Sequence, residues 1–242
     1  MTTITKILIA TVLSLLMFSC NFDLNLGTGV KGNGNVTTIE RSIDGDFDAI
    51  EVSRGLDVYL TQSDTESLRV QADDNLHDII MTEVVDNVLE IYADENIGSS
   101  RSKKVMLNFK DVSKITATSG SDVYSTNTIV AEELILTTTS GSDMELDIET
   151  EIADCTATSG SDLILSGSTN KLYAEATSGS DLKARDLVAN ICNASATSGA
   201  DIIINTKEKL HASASSGGDI KYYGNPQNVE KKDSASGSIR KQ

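Results

Sequence analysis

Seven aspartates, Asp57, Asp122, Asp143, Asp162, Asp181, Asp201 and Asp219, each lie two positions after a glycine. If those positions stack, the carboxylates form a column, and clustered oxygens are what a hard divalent cation takes. A weak Ca²⁺ ladder along Asp122, Asp143, Asp162, Asp181, Asp201 and Asp219 is therefore one reading. The alternative is structural, each carboxylate accepting hydrogen bonds from the N–H groups of its own turn. The structural reading is preferred: the nine-residue GGxGxD repeat of calcium-binding β-rolls is absent, and one carboxylate per repeat supplies few ligands. Stacked like charges repel by roughly 1 kcal/mol or less per pair in water, so something must offset them.

A second column pairs hydroxyls: Thr116/Thr118, Thr137/Thr139 and Thr156/Thr158, then Glu175/Thr177, Ser195/Thr197 and Ser213/Ser215. Flat Thr-x-Thr ranks occur on ice-binding solenoids, whereas β-branched residues on a strand face are also ordinary cross-strand packing. The spelling erodes after three copies, which favours packing.

The groups that do covalent chemistry are sparse. His211 stands near Ser213, but no buried carboxylate is visibly placed to orient it, and His77 is far away in sequence. A polysaccharide-lyase reaction of the pectate type needs a local Asp cluster with a cationic base opposite; here the Asp residues are spread one per repeat and no Arg recurs among them. Cys155 and Cys192 fall at inward positions about two repeats apart, too far for a disulfide, and read as small core residues. Two His and three Cys build no zinc framework. No catalytic residue and no cofactor is assigned.

Composition narrows the classes further. The chain has 242 residues, with 20 Lys and Arg against 36 Asp and Glu for a net charge of −16. Such a surface repels phosphate, which excludes nucleic acid as a partner. Aromatic residues make up 4% with no Trp, which counts against a base-stacking platform.

The elements that would position these columns are legible as a repeat. Thr118-Ser119-Gly120-Ser121-Asp122 recurs at 139–143, 158–162, 177–181, 197–201 and 215–219, with a degenerate copy at 235–238. The turn glycines are Gly120, Gly141, Gly160, Gly179, Gly199, Gly217 and Gly237, spaced by 21, 19, 19, 20, 18 and 20 residues. Three and five residues after each glycine come mostly apolar residues, such as Leu163 and Leu165, and the same alternation precedes it, as at Ala176, Ala174 and Leu172. Period-two alternation on both sides of a tight turn predicts two short half-buried strands per repeat. One such pair cannot bury its apolar face alone, but stacked copies can. The expected fold is all-β, a right-handed parallel β-helix of pectin-lyase-like type with about 20 residues per rung.

The same phase surrounds Gly55, with Ile50 and Val52 before it and Val58 and Leu60 after it, marking an early rung. Strand-like stretches follow at 68–72, 88–92 and 105–109, and 76–85 is ambiguous between strand and helix, with strand preferred. The expected organisation is a lipoprotein signal over 1–19, anchor and flexible tether over 20–35, and one solenoid domain over 36–242. That domain divides into irregular rungs (36–111), TSGSD repeats (112–224) and a polar C-terminal cap (225–242), where Lys232 and Arg240 occupy positions that are small or apolar in most earlier rungs. The signal rests on Lys6, the apolar run Ile7 to Phe18 and the ending Met17-Phe18-Ser19-Cys20, which resembles a bacterial lipoprotein signal and makes Cys20 the lipidated residue. Gly27-Thr28-Gly29-Val30-Lys31-Gly32 matches GxGxxG by letter, but without a preceding strand and following helix it reads as tether.

The segments Gly32-Asn33-Gly34-Asn35-Val36, Phe47-Asp48-Ala49-Ile50-Glu51-Val52, Asp57-Val58-Tyr59-Leu60, Ala72-Asp73-Asp74-Asn75-Leu76 and the Ser-Gly-Ser-Asp turns resemble the auto-transporter adhesin head family of GIN type, β-solenoid lipoproteins and secreted proteins of Bacteroidetes-type bacteria. The resemblance covers about residues 32–240 and implies a right-handed superhelix, a role in adhesion and no catalytic residues. The expected function is a cell-envelope, outer-membrane lipoprotein acting as a binding or structural module for glycans or surface proteins, with the membrane as partner through its lipid. The alternatives are a carbohydrate-active enzyme on the same scaffold, a Ca²⁺-binding repeat protein and an ice-binding protein.

Overall fold

The computed structural model describes residues 29–234 and 236–242; the expected signal at 1–19, Cys20 and the first part of the expected tether lie outside these. The described residues form nineteen strands and one 3₁₀ turn, and include no helix long and apolar enough to cross a membrane.

The repeats stack as a parallel β-solenoid. Asp143–Thr158, Asp162–Thr177 and Asp181–Ala196 pair in parallel, so that Asp143, Asp162 and Asp181 fall opposite one another, as do Met144, Leu163 and Leu182, and Ala157, Ala176 and Ala196. The two short strands expected per rung run together. The outgoing strand from one corner continues through a bend into the incoming strand of the next, giving 16-residue stretches. The bend shows as a slip in the buried alternation, from Thr150 to Ala153 in place of a step of two. Thr150 and Thr169 are buried there, and the Thr150 hydroxyl donates to Thr169 Oγ1 at 2.9 Å.

Equivalent inward positions make apolar ladders. Val58, Val123, Met144, Leu163, Leu182, Ile202 and Ile220 form one on the outgoing strands, while Ala117, Ala157, Ala176, Ala196 and Ala214, with buried Thr138 between the first two, form a thinner one beside the corners. Large residues thus face small ones across the corner, and each buried Leu, Ile or Val contributes about 1.5–3 kcal/mol relative to exposure.

At the N-terminal end the chain order differs from the spatial order. Ala49–Val52 lies between Val88–Ala93 and Lys114–Ala117, and Asp57–Gln62 lies between Lys103–Phe109 and Asp122–Ser125. The rung at 49–62 is therefore internal, and the later rung at 88–109 sits outside it. Over that outer rung lie antiparallel strands, Ser67–Asp73 on Lys103–Phe109, Val36–Arg41 on Ser67–Asp73, and Ile80–Val85 on Val88–Ala93. The irregular region is not a continuation of the parallel coil. Asp86 and Asn87, at φ 49° and 63°, make a two-residue hairpin turn that reverses the chain, closing the solenoid end where an open edge would otherwise remain. The ambiguous 76–85 resolves into the 3₁₀ turn Asp74–Leu76 followed by the strand Ile80–Val85.

Residues 29–35 are also not free tether. Val30–Lys31 pairs in parallel with Ile97–Ser99, and Asp73 holds the following loop. Its buried carboxylate accepts N–H bonds from Gly34 at 2.9 Å and from Arg101 and Ser102, both at 3.0 Å. Burial pushes the Asp73 carboxyl up, but these donors and the Arg101 charge outweigh it and hold the group below the usual range. Gly32 is required here, since a Cβ on it would meet Asp73 Oδ2 at 2.0 Å.

At the other end, Asn228–Asp233 and Ser238–Lys241 form a last rung, paired among the described residues on one side only. Lys232 stands opposite Ser213 and Arg240 opposite Lys221, and charges on an edge discourage further strand addition.

Candidate ligand-binding face

Each corner is a β-turn with two left-handed residues. Ser119 and Gly120 have φ of 56° and 69°, and Ser121 N–H closes the turn on Thr118 O at 3.4 Å. Ser140–Gly141, Ser159–Gly160, Ser178–Gly179, Ser198–Gly199 and Ser216–Gly217 repeat this, and Arg54–Gly55 does so at 59° and 76°. Positive φ at both central positions is the type I′ conformation. Gly237 stands elsewhere: Ser238 pairs with Asp219, so Gly237 takes the position of Gly218, where an added Cβ would lie 2.6 Å from Ala214 O.

The hydrogen bonds of the corner come from serine, not aspartate. Ser142 Oγ sits 2.8 Å from Ala117 O on the preceding rung and 2.9 Å from its own turn carbonyl, Thr139 O, and accepts the Thr139 N–H at 3.1 Å. Ser121, Ser161 and Ser180 do the same work, all fully buried. Among the described residues no corner N–H donates to the aspartate carboxylates, so the Asx reading is corrected. Aspartate at that position is outward, at the start of the outgoing strand.

The aspartate column is in register from Asp57 through Asp122, Asp143, Asp162, Asp181 and Asp201 to Asp219. Lys183 Nζ bridges Asp162 at 3.0 Å and Asp181 at 3.1 Å, Lys103 Nζ lies 3.4 Å from Asp57, and the Ser238 hydroxyl donates to Asp219. Burial lowers the Lys183 pKa, but the two carboxylates outweigh it and raise it overall. Asp122 has its pKa raised, chiefly by burial and then by Asp57 and Asp143, against the smaller pull of Lys103. Among the described residues no three His, Cys, Asp or Glu side chains converge as a metal-ligand group.

The outward face of the incoming strands carries a different surface. One row runs Thr116, Thr137, Thr156, Glu175, Ser195, Ser213, Lys232, and the adjacent row Lys114, Ile135, Asp154, Tyr173, Asn193, His211, Glu230. The threonine rank spans three rungs and then gives way to unlike side chains. Between Tyr173 and Glu175 on one side and Glu230 and Lys232 on the other, the shorter Asn193, Ser195 and Ser213 leave a trough of about 650 Å³. Tyr173 is 37% exposed at its wall, with Lys171 Nζ 4.8 Å from its ring centre. An aromatic wall, amide and hydroxyl groups and mixed charge together can hold a polar, ring-shaped ligand by stacking and hydrogen bonds.

His211 lies in this trough, and its Nδ1 is 2.9 Å from Glu230 Oε2. Sequence inspection passed over Glu230, although one rung period added to 211 points to it. The Glu230 side chain is 70% exposed, and among the described residues no serine hydroxyl bonds to the imidazole, so the pair lacks the nucleophile of a triad. His77 lies apart at the N-terminal end, 2.9 Å from Thr37 Oγ1. Cys155 and Cys192 are free and buried; burial pushes the Cys155 thiol well up and that of Cys192 up to about 12, so neither is a thiolate at neutral pH.

The fold is shared with solved structures. A “putative adhesin” from Bacteroides fragilis superposes with a TM-score of 0.82 at 20% identity, covering 88% of this chain and 100% of that one. A “putative adhesin” from Parabacteroides merdae gives 0.72 at 20%, covering 88% and 98%. A “putative lipid binding protein” from Parabacteroides distasonis gives 0.69 at 20%, covering 87% and 99%. No curated protein matches the sequence. Residues 46–226, from just before the strand Ala49–Val52 to the last full repeat, match the family described as “Putative auto-transporter adhesin, head GIN domain”, and the chain belongs to that family.

Proposed function

We propose that this protein is a non-enzymatic adhesive module, exported and held at the cell envelope as an outer-membrane lipoprotein through lipid on Cys20, and that it contacts surface glycans or proteins through the outward face of its incoming strands. The observation that carries this reading is the Tyr173–Asn193–His211 trough on an otherwise regular solenoid face. Short hydrogen-bonding side chains beside an exposed aromatic ring suit a sugar, whose C–H face stacks while its hydroxyls pair with the amide and serines. Family membership supports a binding role, and the rigid stack supplies a preformed surface that loses little entropy on contact.

A glycan array probed with the full chain and with Tyr173→Ala tests it. Saturable binding to some glycans by the parent chain, lost in the variant, supports the trough; binding unaffected by the substitution places the contact elsewhere. Metabolic labelling with a palmitate analogue, lost in Cys20→Ser, tests the anchor. A carbohydrate-active enzyme is the second reading, favoured only by the His211–Glu230 pair. Turnover of a polysaccharide that disappears in His211→Gln would establish it.

A further inference from the structure

A second cleft, of about 650 Å³, lies at the opposite end of the molecule, between the corner at Gly55 and the segment 96–100, which contains the short strand Ile97–Ser99. Its polar lining is Arg54, Lys103, Asn96, Ser99, Ser100 and Ser119, and Ile97 adds an apolar patch. In a chain of net charge −16, this cleft presents two cations and a set of hydroxyl and amide donors.

Both cations are fixed before any ligand arrives. Arg54 Nη1 donates to Ala93 O at 3.0 Å and Asp94 O at 3.1 Å, and the guanidinium lies 5.5 Å from the Tyr92 ring centre. Its other nitrogens make no hydrogen bond among the described residues. Lys103 Nζ donates to Gly55 O and pairs with Asp57 at 3.4 Å. The strand Ile97–Ser99 opposite is held by Val30–Lys31, through Val30 N–H to Asn96 O and Gly32 N–H to Ser99 O, both 2.7 Å.

Arg54 also breaks the local rule. The first left-handed position of the corner is serine in all six later copies, but here a long side chain is held at φ 59°. The six serines share that backbone, with φ of 52–59°, so what departs from the rule is the long cationic side chain itself. A guanidinium with one edge pinned and one edge without partners is pre-organised to take a planar carboxylate through two parallel hydrogen bonds.

We infer that the Arg54–Lys103 cleft is a binding site for a carboxylated sugar, a uronic or sialic acid residue, separate from the Tyr173 trough. The carboxylate pairs with the free edge of Arg54 and shares Lys103 with Asp57. The sugar hydroxyls find Ser99, Ser100, Ser119 and Asn96, and Ile97 meets an apolar ring face. The volume exceeds what a bare inorganic ion fills and suits a single pyranose with its substituents.

Titration calorimetry of the full chain with glucuronic acid and N-acetylneuraminic acid, against glucose and inorganic phosphate, tests this. Saturable binding of at least one carboxylated sugar is expected, weakening as salt rises, with no comparable binding of glucose. Arg54→Ser, which restores the corner's usual residue, and Arg54→Lys, which keeps the charge but not the fork, should each lower the affinity about tenfold or more, while the protein still unfolds cooperatively with at most a small fall in melting temperature from the lost bonds to Ala93 and Asp94. Tyr173→Ala should leave this binding unchanged, so the two sites succeed or fail independently. Absence of saturable binding by either sugar, equal binding of glucose or phosphate, or full affinity in Arg54→Ser each overturns the assignment.

Discussion

Ser142 reaches across a rung to Ala117, its buried hydroxyl 2.8 Å from a carbonyl 25 residues earlier in the chain. This contact, repeated by Ser121, Ser161 and Ser180, ties consecutive corners together and explains why serine follows the glycine. Ser142→Ala removes the hydroxyl's bonds to Ala117 O and Thr139 O, which keep the backbone donors Thr139 N–H and Ser142 N–H, and should cost about 1 kcal/mol, with Ser161→Ala similar. Ala200 occupies the same position three rungs after Ser142, so the substitution fits sterically. Urea denaturation of the single variants and the Ser142/Ser161 double variant checks this.

The glycines separate into two physical kinds. A Cβ at Gly160 meets nothing within 4 Å, so Gly160→Ala pays only for its left-handed backbone, about 1 kcal/mol. At Gly167, φ 104°, the Cβ would lie 2.1 Å from Ile148 O, and Gly167→Ala should cost about 3 kcal/mol or more. Comparing the two melting curves distinguishes strain from collision.

Acid titration should reveal the crowded carboxylates. Because the Asp122 pKa is raised by folding, the folded state holds its proton more tightly than the unfolded chain, and stability falls as pH rises from the ordinary aspartate range through the raised value. Asp122→Asn removes that penalty. It should stabilise the protein at pH 7 by roughly 0.5 kcal/mol, discounted for partial exposure, and by nothing well below pH 4, which denaturation at the two pH values would show.

Asp73 carries the opposite sign. Its lowered pKa stabilises the protein above the ordinary aspartate range, and that contribution is lost as pH falls below it. Asp73→Ala removes the acceptor for Gly34, Arg101 and Ser102, so hydrogen exchange at those amides should accelerate while exchange within 143–177 stays unchanged.

Much of the solenoid could be read from sequence because its determinants are local and repeated: the Ser-Gly corner and the alternation around it set both the turn and the register. The N-terminal end is written differently. Asp86-Asn87 is a hairpin signal between Val85 and Val88, but the rung frame made the flanking strands look like further parallel turns. The insertion of 49–62 between 88–109 and 114–125 depends on long-range pairing that no local pattern encodes. The Asp column was legible as a row, whereas the role of the serine beside it required knowing which carbonyl lay one rung away. Both clefts join residues from separate rungs, His211 with Glu230 and Arg54 with Lys103, and only rung arithmetic or coordinates bring such residues together.

The trough itself is tested most directly by amide and side-chain NMR during titration with a glycan selected on the array. Shifts concentrated at Tyr173, Asn193, Ser195 and His211, and abolished by Tyr173→Ala, are the predicted result. Shifts confined to the aspartate column or to the last rung at 228–241 would contradict it.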